Sequence, residues 1–223
     1  MLLEEIDRLI EGRRLLDHPF YTKWAAGTLP AEALREYARQ YYAFESSFPR
    51  FLSALHSRCD RADVRAALLE NLWDEEHGEA SHAELWLRFA EGLGVPRDDV
   101  RGAEWNGATL DLVESYRRFA VEGPVAAGVA ALYAYEKQVP GVAVSKIDGL
   151  RRFYGITGGP ALQFFEVHAF LDVEHSNHEA RIVEDLGAGQ ETEVLEATSA
   201  ALDAWWRFLD AVEPRWPTER NGV

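Results

Sequence analysis

An all-α fold follows from three observations on the 223-residue chain. Nearly every segment carries apolar residues at the helical period, and no segment alternates with the period of two that a half-buried strand needs. The breaks between segments fall at prolines and glycines. About seven helices with short connections imply an up-and-down bundle, an architecture that builds metal sites between facing helices. With 47% hydrophobic residues the chain can bury a sizeable core, so one domain is expected over residues 1–213, followed by a frayed tail at 214–223.

A first helix is expected over residues 2–16, ended by Asp17-His18-Pro19, because proline disfavours helical geometry in the residue before it. Thr28 is placed to cap the next helix, with Pro30 in its first turn and an end near Ser46. Pro49 then kinks or ends it, and the segment continues to Cys59. A third helix is expected from about Arg61 to Glu91, stopped by Gly92-Leu93-Gly94-Val95-Pro96. A polar linker leads to Asn106-Gly107 and a helix from about Thr109 to Val121. Gly123-Pro124 restarts the chain into an Ala-rich helix, whose small residues at 126, 127, 128, 130, 131 and 134 suit close helix contact. Pro140-Gly141 interrupts it, and the segment resumes to about Tyr154. After a loop from Gly155 to Pro160 comes a long helix through Leu186. The last helix, about Glu191 to Val212, is amphipathic and ends with Trp205, Trp206, Phe208 and Leu209.

Composition excludes several function classes. A net charge of -15, from 23 basic and 38 acidic residues, opposes nucleic-acid binding, since phosphate contacts need clustered Lys and Arg. The one cysteine, Cys59, allows neither an intrachain disulfide nor a thiolate-rich metal site, which fits a reducing compartment. The N-terminus lacks the basic start and uninterrupted apolar run of a signal peptide. The longest apolar run, Val125 to Tyr135, falls short of the ~20 residues of a membrane span. A soluble, cytoplasmic protein that binds neither membrane nor nucleic acid is expected.

The chemistry concentrates in the long helix. His168, Asp172 and His175 fall within roughly 60° of one another around the helix axis, forming one stripe. Two imidazoles and a carboxylate converging from one face suit iron, manganese or zinc, and a metal removes the cost of burying them. A polar helix with boundary histidines has the same spacing, so partner helices must decide. Glu179 returns to this face as a supporting carboxylate or salt-bridge partner rather than a ligand, while Glu174 and His178 point away into solvent. A second contribution comes from Asn71 to Trp86, where Glu75 and His82 lie two turns apart on one helix face. Glu79 lies between them, and spacing alone permits either glutamate to pair with His82. Glu76 and His77 read as solvated. Glu136, an acid at the end of an apolar helix, is the third contributor, its plain alternative being a salt bridge beside Lys137.

Three carboxylates and three neutral imidazoles holding two divalent ions leave a charge of about +1, ready for an anionic oxygen ligand. A carboxylate-bridged pair of redox metals fits this better than zinc, whose structural sites are closed and four-coordinate. The implied chemistry is dioxygen activation.

Six blocks in order then carry a resemblance: HPFYTKW, LREYARQYYAF, FPRFLSALHSRCD, NLWDEEHG with its following histidine, AAGVAALYAYEKQVPGVA, and the His168-x-x-x-Asp172-x-x-His175 helix. Across nearly its whole length the chain resembles the CADD-like proteins of the haem-oxygenase-like dimetal oxidases, relatives of the TenA and PQQ-synthesis folds. The resemblance implies a haem-oxygenase-like bundle with Glu75, His82, Glu136, His168, Asp172 and His175 as metal ligands. It also implies p-aminobenzoate synthesis for folate from the protein's own tyrosine side chain, oxidatively excised and aminated, so that each chain acts about once. Tyr21 corresponds to the excised tyrosine, Tyr37 to the second tyrosine of the site, and Lys146 to the lysine considered an amino donor. Two redox metals, Fe/Fe or Fe/Mn, are implied, with dioxygen as co-substrate and an external reductant.

Taken alone, Tyr21 and Tyr37 would be core aromatics, as tyrosines on helix faces usually are, and Lys146 a surface residue. The rival readings are the same scaffold acting on a diffusible substrate, a metal-independent PQQ-synthesis-type or TenA-type enzyme, the latter with Cys59 as nucleophile, and a helical bundle binding iron or a partner protein. A homodimer through the Ala-rich helix or the Trp205-Trp206 end is a further expectation.

Overall fold

A computed structural model describes residues 1–213; the expected tail at 214–223 lies outside them. Twelve α-helices and one 3-10 turn account for the regular structure of these residues, with no strand among them. The all-α expectation holds. There are more helices than the seven or so expected, because turns divide segments that the hydrophobic period joins.

Helix α1 (Leu2–Gly12) is followed by a 3-10 turn (Leu15–Asp17) in place of the last turn expected of the first helix. Pro19 then starts a helix as well as ending one: α2 (Pro19–Ala26) carries it in its first turn, where the missing N–H is no loss. His18 Nδ1 caps this helix by accepting from Phe20 N–H at 3.1 Å. Thr28 does not cap α3 (Ala31–Glu45). Its hydroxyl bonds back to the Lys23 carbonyl, and Pro30 holds the N-cap position. Helix α4 (Phe48–Arg58) follows a break at Ser46-Ser47.

The continuous helix expected over 61–91 is two helices, α5 (Ala62–Glu76) and α6 (His82–Gly92). Gly78 adopts φ +104, a conformation suited to glycine, and Ser81 restarts the helix by accepting from Glu84 N–H. The linker holds a short α7 (Arg97–Arg101). Helix α8 (Gly107–Val121) is capped by Asn106, whose side chain accepts from Thr109 N–H at 2.9 Å. Helices α9 (Val125–Glu136), α10 (Val139–Phe153), α11 (Pro160–Leu186) and α12 (Glu191–Val212) complete the order, close to the expected bounds.

Helix α9 is the axis of the bundle. Every residue from Ala126 to Glu136 is buried, against α8, α11 and α12. Its small side chains permit this approach: a Cβ on Gly128 would lie 2.5 Å from Leu55 Cδ2 and 2.9 Å from the Phe119 carbonyl oxygen. The Ala-rich surface therefore packs inside the chain. Trp205 is likewise buried, stacked on Tyr135 with centroids 4.5 Å apart. Among the described residues, no helix is long and apolar enough to cross a membrane. Helices α3, α5, α6, α9 and α11 bring buried polar side chains into this otherwise apolar interior.

Candidate metal centre and tyrosine pocket

All six candidate ligands are buried, each with 2 to 5% of its surface exposed. Asp172 and His175 occupy one face of α11, their Oδ1 and Nδ1 atoms 3.7 Å apart. His168 Nδ1 lies 2.7 Å from the Phe164 carbonyl one turn earlier, a contact that needs the proton on Nδ1 and leaves Nε2 with a free lone pair. His175 uses the opposite tautomer: Nε2–H donates to Asp74 Oδ2 at 3.1 Å, and the buried Nδ1 has no hydrogen-bond partner. Backbone or carboxylate acceptors that orient an imidazole in this way are the usual support of metal-ligating histidines.

Glu75 and His82 do meet, but across the α5–α6 break rather than along one helix. His82 Nδ1 lies 2.9 Å from Glu75 Oε1 without satisfying hydrogen-bond geometry. Two donors bound to one ion at right angles sit roughly 3 Å apart. Glu79, the alternative glutamate, is exposed in the break, and Glu76 and His77 are also exposed. His82 and His168 face each other with ring centroids 4.4 Å apart. Glu136 ends α9 and accepts from Asn71 Nδ2 at 3.1 and 3.3 Å. As expected, Glu174 is exposed, while His178 is partly buried with Nδ1 3.9 Å from Glu70. Glu179 is fully buried and bonds to nothing, although its charge and that of Glu136 act on each other.

The electrostatics are those of donors collected without a cation. Burial raises the Glu136 carboxyl to about 8, the nearby His175 opposing and Asp172 reinforcing the shift. Burial likewise raises Asp172 to about 6, against the pull of His175. Burial lowers His175, yet Asp172, Glu136 and Asp74 together outweigh it and bring the imidazole to about 10. His168 is held well below its ordinary value by burial and by His82. Orphaned buried donor atoms, opposed lone pairs and carboxyls pushed toward neutrality all fit a site completed by divalent metal. The residues that could hold it are Glu75, His82, Glu136, His168, Asp172 and His175.

A second cluster adjoins this one. Tyr21 and Tyr37 hydroxyls lie 3.1 Å apart, and Lys146 Nζ donates to the Tyr37 hydroxyl at 2.7 Å. Lys146 is not a surface residue: it is fully buried among aromatic faces, including Tyr37 and Tyr21 with centroids 4.9 and 5.2 Å away. Burial lowers its ammonium to about 7, only partly offset by Glu45. Burial also keeps the Tyr21 and Tyr37 phenols protonated, well above their ordinary values. A largely enclosed cavity of about 10 Å³ lies between the two clusters, lined by Tyr21, Lys146, Tyr41, Tyr135 and His168 together with apolar side chains. Cys59 is not part of its lining; its thiol is buried 3.8 Å from the Arg61 carbonyl.

Several residues here escaped the sequence reading. Tyr41 and Tyr135, ordinary core aromatics in sequence, hydrogen-bond each other and line the cavity. Asp74, the partner of His175, stands in the acidic run Asp74-Glu75-Glu76 with nothing to distinguish it. Glu45, buried at the end of α3, has a detectable signal: Tyr37, Tyr41 and Glu45 recur at every fourth residue and share one helix face.

A family model described as an iron-containing redox enzyme matches residues 35–206. The 4-aminobenzoate synthase of Chlamydia muridarum is 39% identical over 213 residues, covering 95% of this chain and 90% of that protein. Among solved structures, a TenA homolog from Pseudomonas syringae pv. tomato superposes with a TM-score of 0.80 at 17% identity, over 95% of this chain and 90% of the other. A domain with a heme oxygenase-like fold from Shewanella denitrificans gives 0.76 at 17% identity, over 94 and 89%. At these identities the structures establish a shared haem-oxygenase-like fold.

Proposed function

The chain belongs to the iron-containing redox enzymes and to the family of the curated 4-aminobenzoate synthases, and from that premise we propose that it makes p-aminobenzoate from its own Tyr21. The observation that carries this reading is the cavity shared by Tyr21, Lys146 and His168. It joins an aromatic ring, an amine and a candidate metal ligand in one enclosure that holds about one water molecule. A diffusible aromatic substrate has no room there, whereas a side chain already in the wall needs none.

Two redox metals, Fe/Fe or Fe/Mn, held by Glu75, His82, Glu136, His168, Asp172 and His175 would supply dioxygen activation, with dioxygen and an external reductant as co-substrates. The chain's own residues supply the rest. The Tyr21 ring and its Cβ have the carbon skeleton of p-aminobenzoate, so cleavage of Cα–Cβ with oxidation of Cβ to a carboxyl leaves the ring with its para oxygen. Replacing that oxygen by an amine completes the product: the Lys146 amine would condense with the ring carbon once dioxygen has taken two electrons from the phenol, releasing the oxygen as water. Hydrolysis of the resulting Cε–Nζ imine would leave the nitrogen on the ring and an aldehyde on the lysine side chain. Lys146, lowered to about 7, is neutral in a substantial fraction at neutral pH and can act as the nitrogen donor. Tyr37 joins the two by hydrogen bonds to the Tyr21 hydroxyl and from Lys146. It fixes the direction of the amine and can relay a proton between the groups. Aromatic walls exclude water, which protects an oxidised phenol from side reactions.

Isotopic origin is the decisive measurement. Protein grown on ring-labelled tyrosine, loaded anaerobically with iron or iron and manganese and exposed to dioxygen with reductant, should release labelled p-aminobenzoate. The chain should lose mass at Tyr21, with a yield near one product per chain. Unlabelled product from an intact chain would overturn the self-derived origin in favour of a diffusible substrate. Failure of the wild type to retain redox metal would remove the oxidative mechanism altogether.

A further inference from the structure

The six-ligand reading leaves two buried acids unused, Glu179 beside Glu136 and Glu45 beside His82 and His168. Glu45 ends α3 with 4% of its surface exposed, and its Oε1 has no hydrogen-bond partner. A Glu45 carboxylate oxygen and one ring nitrogen each from His82 and His168 lie within 4.8 Å of one another. Nothing basic neutralises it in direct contact, since no salt bridge reaches it among the described residues.

We propose that Glu45 is a seventh metal ligand, binding the ion held by His82 and His168. This rests on the dimetal reading above and adds a residue to it. Donors bonded to one ion at about 2.1 Å lie at most about 4.2 Å apart, so a small rotation of the glutamate and imidazoles gathers all three. The placement is specific. Glu45 comes from α3, a helix that supplies none of the other six residues, and it stands one turn after Tyr41. A fourth carboxylate also changes the charge. Four carboxylates and two divalent ions sum to zero, where three leave about +1. A neutral centre binds its ions more tightly and attracts an external anion less.

The test is an anaerobic titration of the metal-free full-length protein with Co(II), which reports ligand number through its visible absorption and reacts with no oxygen. Wild type should bind two ions. Glu45→Gln should weaken one of them by about tenfold or more and alter its absorption band. Glu45→Asp, which keeps the carboxylate, should recover part of the loss, and Glu79→Gln should match wild type. Folding is monitored separately by the rise in Tm on adding Co(II) to each variant, which should shrink for Glu45→Gln. Two ions bound to Glu45→Gln with wild-type affinity and wild-type spectrum would overturn the proposal while leaving the dimetal centre intact. A wild type that binds no Co(II) would overturn both.

Discussion

Lys146 Nζ donates to the Tyr37 hydroxyl at 2.7 Å, and among the described residues no carboxylate is in salt-bridge contact with it. The lysine titrates near 7 because it is buried, and this single property links stability and chemistry. Unfolded, the group titrates near its ordinary 10.5, so between about pH 7 and 10.5 the unfolded chain binds more protons and stability rises with pH. Below pH 7 both states are protonated and the penalty of a buried ammonium is complete. Lys146→Met should therefore stabilise the protein by up to about 5 kcal/mol at pH 6, with the gain vanishing toward pH 10.5; thermal melts across this range read it directly. The same variant should make no p-aminobenzoate. For wild type, the initial rate of product formation should climb with pH through an apparent pKa near 7.

Glu136 behaves with the opposite sign. Its carboxyl, raised to about 8 in the folded chain from an ordinary 4.5, is protonated in both states below about pH 4.5 and carries no penalty there. The penalty grows as pH rises and is complete above about 8. In chelator-treated protein, Glu136→Gln should be as stable as wild type at pH 4.5 and more stable by up to about 5 kcal/mol at pH 8.5. Adding divalent metal should reverse the ranking at the higher pH, because only the wild type then gains a ligand. Equal melting temperatures at pH 8.5 with and without metal would count against a metal role for Glu136.

Asp74 holds the imidazole of His175 through its Nε2–H. Asp74→Asn removes the negative acceptor without changing the shape, and metal affinity should fall roughly 10- to 100-fold. Equilibrium dialysis against buffered Fe(II) or Mn(II) would detect this with the helical content unchanged. His175→Ala, which removes the ring itself, should lose one metal per chain entirely.

Gly128→Ala tests the packing of the central helix. The added methyl meets Leu55 and the Phe119 backbone, and relaxation of a carbonyl is harder than rotation of a side chain. A loss of about 1–3 kcal/mol is expected, visible as a lower urea midpoint with an unchanged slope.

What the sequence made legible was what lies within one regular helix. His168, Asp172 and His175 could be grouped because α11 is uninterrupted from Pro160 to Leu186, so residue spacing translates into direction. The same rule left Glu75 and Glu79 as alternatives beside His82, and it is Glu75 that meets the imidazole while Glu79 is exposed. The helix between Glu75 and His82 is broken by Gly78, and the tertiary fold rather than helical phase brings them together. Glu45 shares a helix face with Tyr37 and Tyr41, a signal that places it toward the interior, but its position before Ser46-Ser47-Phe48-Pro49 reads as an ordinary helix end, and the approach of α6 and α11 is needed to show that it faces His82 and His168. Lys146 illustrates the remaining limit: its burial depends on six aromatic rings contributed by helices far apart in the chain.

The size of the cavity between the tyrosines and His168 also governs departure. An enclosure of about 10 Å³ cannot pass a benzoate ring, so on the proposed reaction the product leaves only when the walls open, at a cost set by their local unfolding free energy. Helices α2 and α10 contribute Tyr21, Lys146 and Val142 to those walls. On that reading the interval between making the molecule and freeing it is set by how often the walls open, a quantity read by amide exchange rather than by the chemistry inside.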